Sequence, residues 1–350
     1  MSNSYHENIK LKNIEKLREL QGNLPAFCTV FFRGIADKVG TRTLIGYAYD
    51  LQIFFNYIIQ YTFPEKNYIL KKIPLTILDE VTKFDIESYM EYLSLYSSED
   101  GTIHTNDERG KARKLSALKG LYNYFYEAEL IQTNPASIVH APKFHEKEII
   151  KLDPNEVAEL LDIVEYGSEQ ESKHQEAYHK VTKKRDLAML SLLLGTGIRV
   201  SECVGLDIKD VDFDNNAIRI IRKGGNEAKV YFGDEVEDVM REYLDKRKRI
   251  IPLNGHENAL FLSIQNRRIS VRAVENLVKK YASQVTTLKK ITPHKLRSTY
   301  GTELYKESGD IYLVASVLGH KDVNTTKKHY ANIDEDNKRR AAKIVKLRKK

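Results

Sequence analysis

The strongest constraint on the fold of this chain is a proline-containing segment near its middle. Residues 134–154 read NPASIVHAPKFHEKEIIKLDP, with three prolines and no sustained helical periodicity, which is typical of an extended linker. The chain of 350 residues is also too long for one ordinary core. We therefore predict two domains, residues 1–140 and 153–335, joined by a linker at residues 141–152.

Apolar residues before the linker recur at helical spacing. Leu44, Leu51 and Ile58 belong to a stripe with three- and four-residue steps, the pattern of an amphipathic helix. Residues 86–93 and 115–126 repeat it. The first domain is therefore predicted to be a small helical bundle.

One helix of this bundle combines an apolar stripe with a basic face. In the stretch ERGKARKLSALKGLYNYFY this face includes Lys111, Arg113, Lys114 and Lys119. Such a face is either a solvated surface or a helix pressed on phosphates. These four residues are the candidates for DNA contact in the first domain.

The second domain is predicted to be mainly helical with a small antiparallel sheet. Asp153 and Pro154 are a helix cap and a first-turn proline, and the polar interval 167–184 is interpreted as an insertion without an assigned role. The run RDLAMLSLLLGTGIRVSECVGL is a buried helix that breaks at residues 195–197 and resumes at 198–206. Strands are predicted in AIRIIRK and AKVYF, which turn signals flank, and helices from Val236 onward.

Charge and cysteine usage limit the classes of partner and compartment. The excess of 56 Lys and Arg over 49 Asp and Glu, with a net charge of +7, favours a polyanionic partner without proving one. Cys28 and Cys203, the only cysteines, have no CxxC spacing, which favours buried, reduced thiols. Without an apolar signal segment or a membrane-length apolar run, a cytoplasmic protein is expected.

A first candidate site lies in ITPHKLRSTYGTELY. Thr292 occupies a cap position and Pro293 the first helical position, so His294 and Arg297 project from one face of the first turns. The positive end of a helix suits a phosphate. A surface histidine and arginine without function remain the alternative for this pair taken alone.

Arg199 is the second candidate because it follows two glycines in GTGIRVSE, where a sharp turn can point a guanidinium into a cleft. Its alternative is a surface ion pair with Glu202. Two arginines on one phosphate could each donate hydrogen bonds to the non-bridging oxygens and stabilise a pentavalent transition state. Such a clamp needs no metal ion.

Lys223 is the candidate proton donor to a leaving oxygen, because it lies at the tip of the predicted hairpin IRKGGNEAKV. Lys229, on the return strand, is the second choice. A lysine that only improves solubility is the alternative.

The stretch VLGHKDVNTTKKHY, residues 317–330, contains the remaining candidates. Asp310 can cap the helix before it, Gly319 ends that helix, and His320 follows, placed to donate a hydrogen bond to a phosphate oxygen. Tyr330 comes ten residues later. A phenol with a pKa of about 10 becomes a nucleophile only among cationic and hydrogen-bonding neighbours.

Together these motifs resemble the tyrosine recombinase family, also called the phage integrases, and more closely its Xer-type resolvases and mobile-element integrases. The order of these residues and the sequence around each of them match the family pattern, and the resemblance covers nearly the whole chain. The residues that carry it are Arg199, Lys223, His294, Arg297, His320 and Tyr330. Two departures stand out: the tyrosine lies ten residues after the histidine where nine is commoner, and the hairpin reads RKGG where many members read G-K-G.

The resemblance implies a chemistry and a role for each residue. Tyr330 would attack a DNA phosphodiester to form a 3′-phosphotyrosyl link, and Lys223 would protonate the leaving 5′ oxygen. Arg199 and Arg297 would clamp the phosphate. His294 would act as acid and base, and His320 would support the transition state, without any cofactor, metal or nucleotide.

The resemblance also implies an architecture and partners. Residues 1–140 would be a SAM-like core-binding domain and residues 153–335 the catalytic domain. The partner would be a double-stranded recombination site, bound by a homotetramer on two duplexes that starts as a monomer or dimer. The basic segment 336–350, alternatively a solvated helix, would dock on a neighbouring subunit, and an accessory protein is possible.

Three other functions remain open. The chain could be an architectural or repressor protein on a degenerate recombinase scaffold, or an enzyme that relaxes supercoils like a type IB topoisomerase. A metal-dependent nuclease is less favoured because the sequence has neither a compact carboxylate cluster nor HExxH spacing.

Overall fold

A computed structural model describes residues 5–98, 100–144, 149–168, 172–222, 225–320 and 322–323. The chain divides into two compact units, residues 1–147 and 148–350, and this division lies inside the segment 141–152. The structure is mostly helical with small antiparallel sheets, so the predicted fold class is confirmed. The role assigned to each domain stays a prediction.

The first unit is a helical bundle. Its helices in the described residues are α1 (Tyr5–Gln21), α2 (Ala26–Ile35), α3 (Thr41–Tyr57), α4 (Ile77–Glu80), α5 (Lys83–Tyr92) and α6 (Glu108–Glu127). The predicted stripe of α3 is buried in the core of this unit, together with the apolar faces of α2 and α6. A short antiparallel pair, β1 (Tyr96–Ser97) and β2 (Ile103–His104), precedes α6 and was not predicted.

Side chains define where two of these helices begin. Thr82 Oγ1 accepts a hydrogen bond from Asp85 N at 3.3 Å, and Asp85 Oδ2 accepts one from Thr82 N at 2.8 Å. Asp107 Oδ1 accepts one from Gly110 N at 2.9 Å at the start of α6. These bonds satisfy first-turn N–H groups that have no partner within the helix.

The second unit packs further helices and a small sheet around the buried C-terminal half of one long helix, α8. Its helices in the described residues are α7 (Pro154–Tyr166), α8 (Lys173–Thr196), α9 (Val200–Gly205), α10 (Asp234–Arg247), α11 (Val271–Val285), α12 (Pro293–Ser308) and α13 (Ile311–Leu318). As predicted, Asp153 and Pro154 open α7, and Glu156 Oε2 accepts a hydrogen bond from Asp153 N at 2.7 Å.

Helix α8 contains most of the interval 167–184, whose interpretation as an insertion stays a prediction. Ser172 caps the helix by accepting from Gln175 N at 3.3 Å, so residues 173–184 are its first three turns. Most side chains there are exposed, but His179 is buried, with Nε2 2.8 Å from Val164 O. The solvated surface of these turns explains the polar sequence, because a helix needs apolar residues only where it packs.

The predicted antiparallel sheet is confirmed, with one additional strand. Its order is β3 (Val211–Asp212), β4 (Ala217–Ile221) and β5 (Glu227–Tyr231), all antiparallel. The central strand places Ile218 opposite Val211 on one side and Val230 on the other.

The prediction of continuous helix after Val236 is wrong between α10 and α11. Residues 248–270 form turns and isolated bridges. Buried Arg247, at the end of α10, donates from Nε to Ala259 O at 3.0 Å and from Nη2 to Glu257 O at 2.8 Å. This side chain satisfies carbonyls that a loop leaves without secondary-structure partners.

Two further expectations concern cysteines and membranes. Cys28 and Cys203 are buried free thiols, as predicted. No helix within the described ranges combines the length and apolar character that a bilayer-spanning segment requires.

Gly197 ends α8 in a conformation that only glycine adopts without strain. Its φ is +63°, and a Cβ atom there would overlap the Tyr300 ring and lie 2.9 Å from Leu318 Cδ2. The missing side chain therefore lets α12 and α13 pack against this turn.

We expect Gly197→Ala to destabilise the protein more than Gly309→Ala. Gly309 has a similar φ of +66°, and a Cβ atom there would have no neighbouring atom within 4 Å, so its substitution isolates the backbone strain. The overlap at Gly197 should add about 1–3 kcal/mol to the loss of unfolding free energy. Denaturant unfolding of both variants measures this difference, and equal losses would contradict the packing argument.

Candidate active site

Four of the sequence-predicted site residues lie at the ends of helices in the second unit. Arg199 directly precedes α9, His294 and Arg297 lie in the first turns of α12, and His320 follows α13. Lys223 and Tyr330 lie outside the described residues.

Arg297 connects the segments that contain the other candidates. Its side chain is buried, with 6% exposure, and Nη1 donates to Gly197 O at 2.6 Å while Nη2 donates to Leu318 O. Gly197 precedes Arg199 by two residues, and Leu318 precedes His320 by two residues. The structure therefore brings the Arg199 turn, the Arg297 side chain and the His320 turn together.

Arg199 is held by Glu202. Glu202 Oε2 accepts from Arg199 N at 2.7 Å, and Oε1 accepts from Arg199 Nη1 at 2.8 Å. The Glu202 side chain is 4% exposed and that of Arg199 is 36% exposed. The ion pair considered as the alternative for Arg199 is thus present, and its buried carboxylate restrains the guanidinium while leaving it reachable from solvent.

His294 is exposed in the first turn of α12. Thr292 and Pro293 occupy the predicted cap and first helical positions, but the Thr292 side chain makes no capping hydrogen bond. Because the cap is absent, the first-turn N–H groups of α12 receive no acceptor from that hydroxyl.

His320 follows a helix with well-defined ends. Asp310 Oδ1 accepts from Tyr312 N at 2.8 Å and Leu313 N at 3.1 Å, which confirms the predicted cap of α13. Gly319 has a φ of +62°, and His320 N donates to Ala315 O at 2.9 Å. This left-handed turn ends the helix and fixes the backbone of the half-buried His320.

Arg222 is a residue of this region that the sequence interpretation missed. It follows β4, and its Nη2 donates to Val317 O at 3.0 Å. A Cβ atom at Gly319 would overlap its guanidinium. The departure from the family pattern, RKGG in place of G-K-G, was the available signal.

The described ranges contain no group of three or more His, Cys, Asp or Glu side chains placed to hold a metal ion.

The basic face of α6 directs two of its cations at a buried carboxylate. Asp50 is 2% exposed and forms an ion pair with Arg113 Nη1. Lys114 is 6% exposed, and its Nζ lies 2.7 Å from Asn106 Oδ1 and 3.8 Å from Asp50 Oδ1. The burial of Lys114 argues against a DNA contact by this residue, because its ammonium would have to leave the core.

Two further cations of α6 have surface contacts. Lys111 Nζ donates to Ser94 Oγ at 2.6 Å, and Lys119 Nζ donates to Ser137 O at 3.3 Å. DNA contact by Lys111, Arg113 and Lys119 stays a prediction.

Burial raises the pKa of Asp50 to about 6, against the opposing effect of Arg113 and Lys114. The folded protein therefore binds this proton more tightly than the unfolded chain does. The raised pKa of Asp50 contributes to the free energy of unfolding. This contribution is fully present below about pH 4 and is lost as the pH rises through about 6.

We expect Asp50→Asn to remove this pH dependence, because an amide has the shape of the protonated carboxyl and does not ionise. Between pH 4 and 7 the unfolding free energy of the wild type should fall by about 2–3 kcal/mol relative to the variant. Urea unfolding of both proteins at several pH values measures this difference. A difference that stays constant with pH would contradict the prediction.

Comparisons with known proteins identify relatives along almost the whole chain. The model of the Phage integrase family matches residues 151–337. A tyrosine recombinase XerC of Thermodesulfovibrio yellowstonii is 31% identical over 319 residues, which cover 89% of this chain and 93% of that protein. A tyrosine recombinase XerS of Streptococcus uberis is 29% identical over 359 residues, which cover 95% and 98%.

A solved structure shares the fold. The integrase of transposon Tn1549, in complex with circular intermediate DNA, superposes with a TM-score of 0.61 at 21% identity. The match covers 87% of this chain and 94% of that one.

Proposed function

Since this chain belongs to the phage integrase family of tyrosine recombinases, we propose that it cleaves and rejoins DNA at specific sites through a 3′-phosphotyrosyl intermediate. The family expected from the sequence is thereby confirmed. The observation that supports the proposed chemistry most is the buried Arg297, whose two hydrogen bonds join the turns before Arg199 and His320.

Arg199 and Arg297 form the proposed phosphate clamp. Glu202 restrains the first guanidinium, and the carbonyls of Gly197 and Leu318 restrain the second. Donors that are oriented before the substrate arrives need little reorganisation when charge develops on the phosphate. In this proposal both guanidinium groups donate hydrogen bonds to the non-bridging oxygens of the scissile phosphate.

The proposed cleavage step forms one bond and breaks one. The Tyr330 oxygen attacks the phosphorus as His294 accepts the phenol proton, and the bond to the 5′ oxygen breaks. Lys223, or Lys229 as second choice, donates a proton to that oxygen. His320 donates a hydrogen bond to a non-bridging oxygen in the transition state.

Rejoining reverses these events. A 5′-hydroxyl from a partner strand attacks the phosphotyrosyl phosphorus, and the tyrosine oxygen leaves with its proton restored. The link retains the energy of the broken phosphodiester bond, so neither ATP nor another cofactor is required.

Among family roles we favour Xer-like recombination, such as chromosome dimer resolution, over integration or excision of a mobile element. Relatives named XerC and XerS match nearly the whole chain at 29–31% identity, whereas the Tn1549 integrase at 21% identity supports the fold alone. The proposed working unit is a homotetramer on two DNA duplexes, with residues 336–350 docked on a neighbouring subunit.

Tyr330→Phe should abolish covalent attachment while preserving binding, because only the nucleophilic oxygen is lost. On nicked, partly randomised DNA the wild type should form a denaturant-stable adduct that peptide mapping places on Tyr330. The variant should form at least about a thousandfold less and bind the selected DNA within about twofold. Tyr312→Phe is the matched control, since Tyr312 is an exposed tyrosine of α13, and should retain the adduct.

The same assay separates the alternative functions. Binding without any adduct in the wild type would favour an architectural or repressor protein. Adducts without sequence selection would favour a topoisomerase, and cleavage that EDTA abolishes would favour a metal-dependent nuclease.

Lysines 114 and 119 should differ in how they affect the salt dependence of DNA binding. Lys119→Met should weaken binding and reduce the slope of log affinity against log salt by about one, because one phosphate contact is lost. Lys114→Met should leave the slope unchanged, since Lys114 is buried beside Asp50. Fluorescence titrations at several salt concentrations measure both slopes, and a reduced slope for Lys114→Met would contradict its structural role.

A further inference from the structure

We propose that Arg222 is a positioning residue for strand cleavage: its guanidinium fastens the end of β4 to the C-terminal end of α13 and so restrains the chain directly before Lys223, the proposed proton donor. This inference rests on the proposed function. It adds a residue that acts through another, without contact to the substrate.

The backbone of Arg222 closes the hairpin. Arg222 N donates to Asn226 O at 2.8 Å, and Gly225 N donates to Arg222 O at 3.0 Å. Arg222 thus extends the pairing of β4 with the β5 arm by one residue beyond the strand. Anything that fixes its side chain also fixes the base of the turn.

The side chain of Arg222 is fixed at α13. Its Nη2 donates to Val317 O at 3.0 Å, and its guanidinium fills the space that a side chain at Gly319 would occupy. Glycine at 319 therefore meets two needs at once, the left-handed turn with a φ of +62° and the close approach of Arg222.

The end of α13 receives arginines from two separate elements. Val317 O accepts from Arg222, and the next carbonyl, Leu318 O, accepts from Arg297. Cations at a helix C-terminus are stabilised by the partial negative charge of its unpaired carbonyls. The hairpin is consequently fastened to the same helix end that orients the clamp arginine and precedes His320.

Stability alone does not explain this arrangement. Within the described residues, Arg222 Nε is buried without a hydrogen-bond partner, and a buried donor without an acceptor reduces the stability of a fold. A side chain retained despite that cost is a candidate for a functional role. A two-stranded arm that loses its anchor can shift by about an ångström, enough to slow a positioned proton transfer by about a hundredfold.

The test compares two leaving groups. Single-turnover cleavage is measured on nicked DNA with the ordinary 5′ oxygen and on the same DNA with a 5′-bridging sulfur, because a thiolate leaves without a proton. Arg222→Met should be about 10- to 100-fold slower than wild type on the oxygen substrate. On the sulfur substrate the rates should agree within about threefold.

Arg219→Met is the matched control. Arg219 lies on the same strand but is exposed and paired with Asp210, so its substitution should leave both rates unchanged. A second route to the same defect is Gly319→Ala, which displaces the guanidinium and keeps Arg222. Gly309→Ala again controls for the positive φ.

The outcomes are distinct. Two results for Arg222→Met would overturn the inference. An equal loss of rate on the oxygen and sulfur substrates would mean that the arginine binds the phosphate or supports the fold in general. No loss of rate on either substrate would mean that it has no role in cleavage. If Arg222→Met does not fold, the cleavage rates of Gly319→Ala on the oxygen and sulfur substrates are compared in the same way. A wild type without adducts on either substrate would instead overturn the proposed function.

Discussion

The candidate site depends on the buried guanidinium of Arg297. Arg297 is almost excluded from solvent, and burying its charge is costly unless hydrogen bonds compensate. The compensation comes from two carbonyls, Gly197 O one hundred residues earlier and Leu318 O twenty-one residues later. Because these acceptors belong to separate helix ends, satisfying the arginine forces the ends of α8 and α13 to meet at α12. The candidate site is the result of that convergence.

Glycines make the convergence possible. Gly197 and Gly319 each end a helix with a positive φ, and each lies where a Cβ atom would overlap a neighbouring side chain, Tyr300 in one case and Arg222 in the other. A left-handed turn reverses the chain directly after the helix, so a carbonyl from its last turn points at a guanidinium. The same two turns direct the chain toward Arg199 and His320.

Local patterns predicted much of this architecture. The stripe of α3, the cap of α13, the break after α8 and the antiparallel sheet all follow from spacing and turn residues, and the structure confirms them. Polar residues in two segments have positions that the sequence did not indicate. Residues 173–184 are polar because three turns of α8 face water, and Lys114 resembles a surface cation although Asp50 and Asn106 bind it inside the first unit.

The sequence by itself supplied the candidate site residues and their order, because side-chain chemistry and helix capping signals lie in short stretches of the chain. Those stretches suffice to indicate the family. Only the tertiary structure decided which groups meet: Glu202 beneath Arg199, two backbone carbonyls on Arg297, and Arg222 against the end of α13. The physical reason is that burial and hydrogen-bond pairing between residues a hundred positions apart depend on packing, which no local pattern encodes.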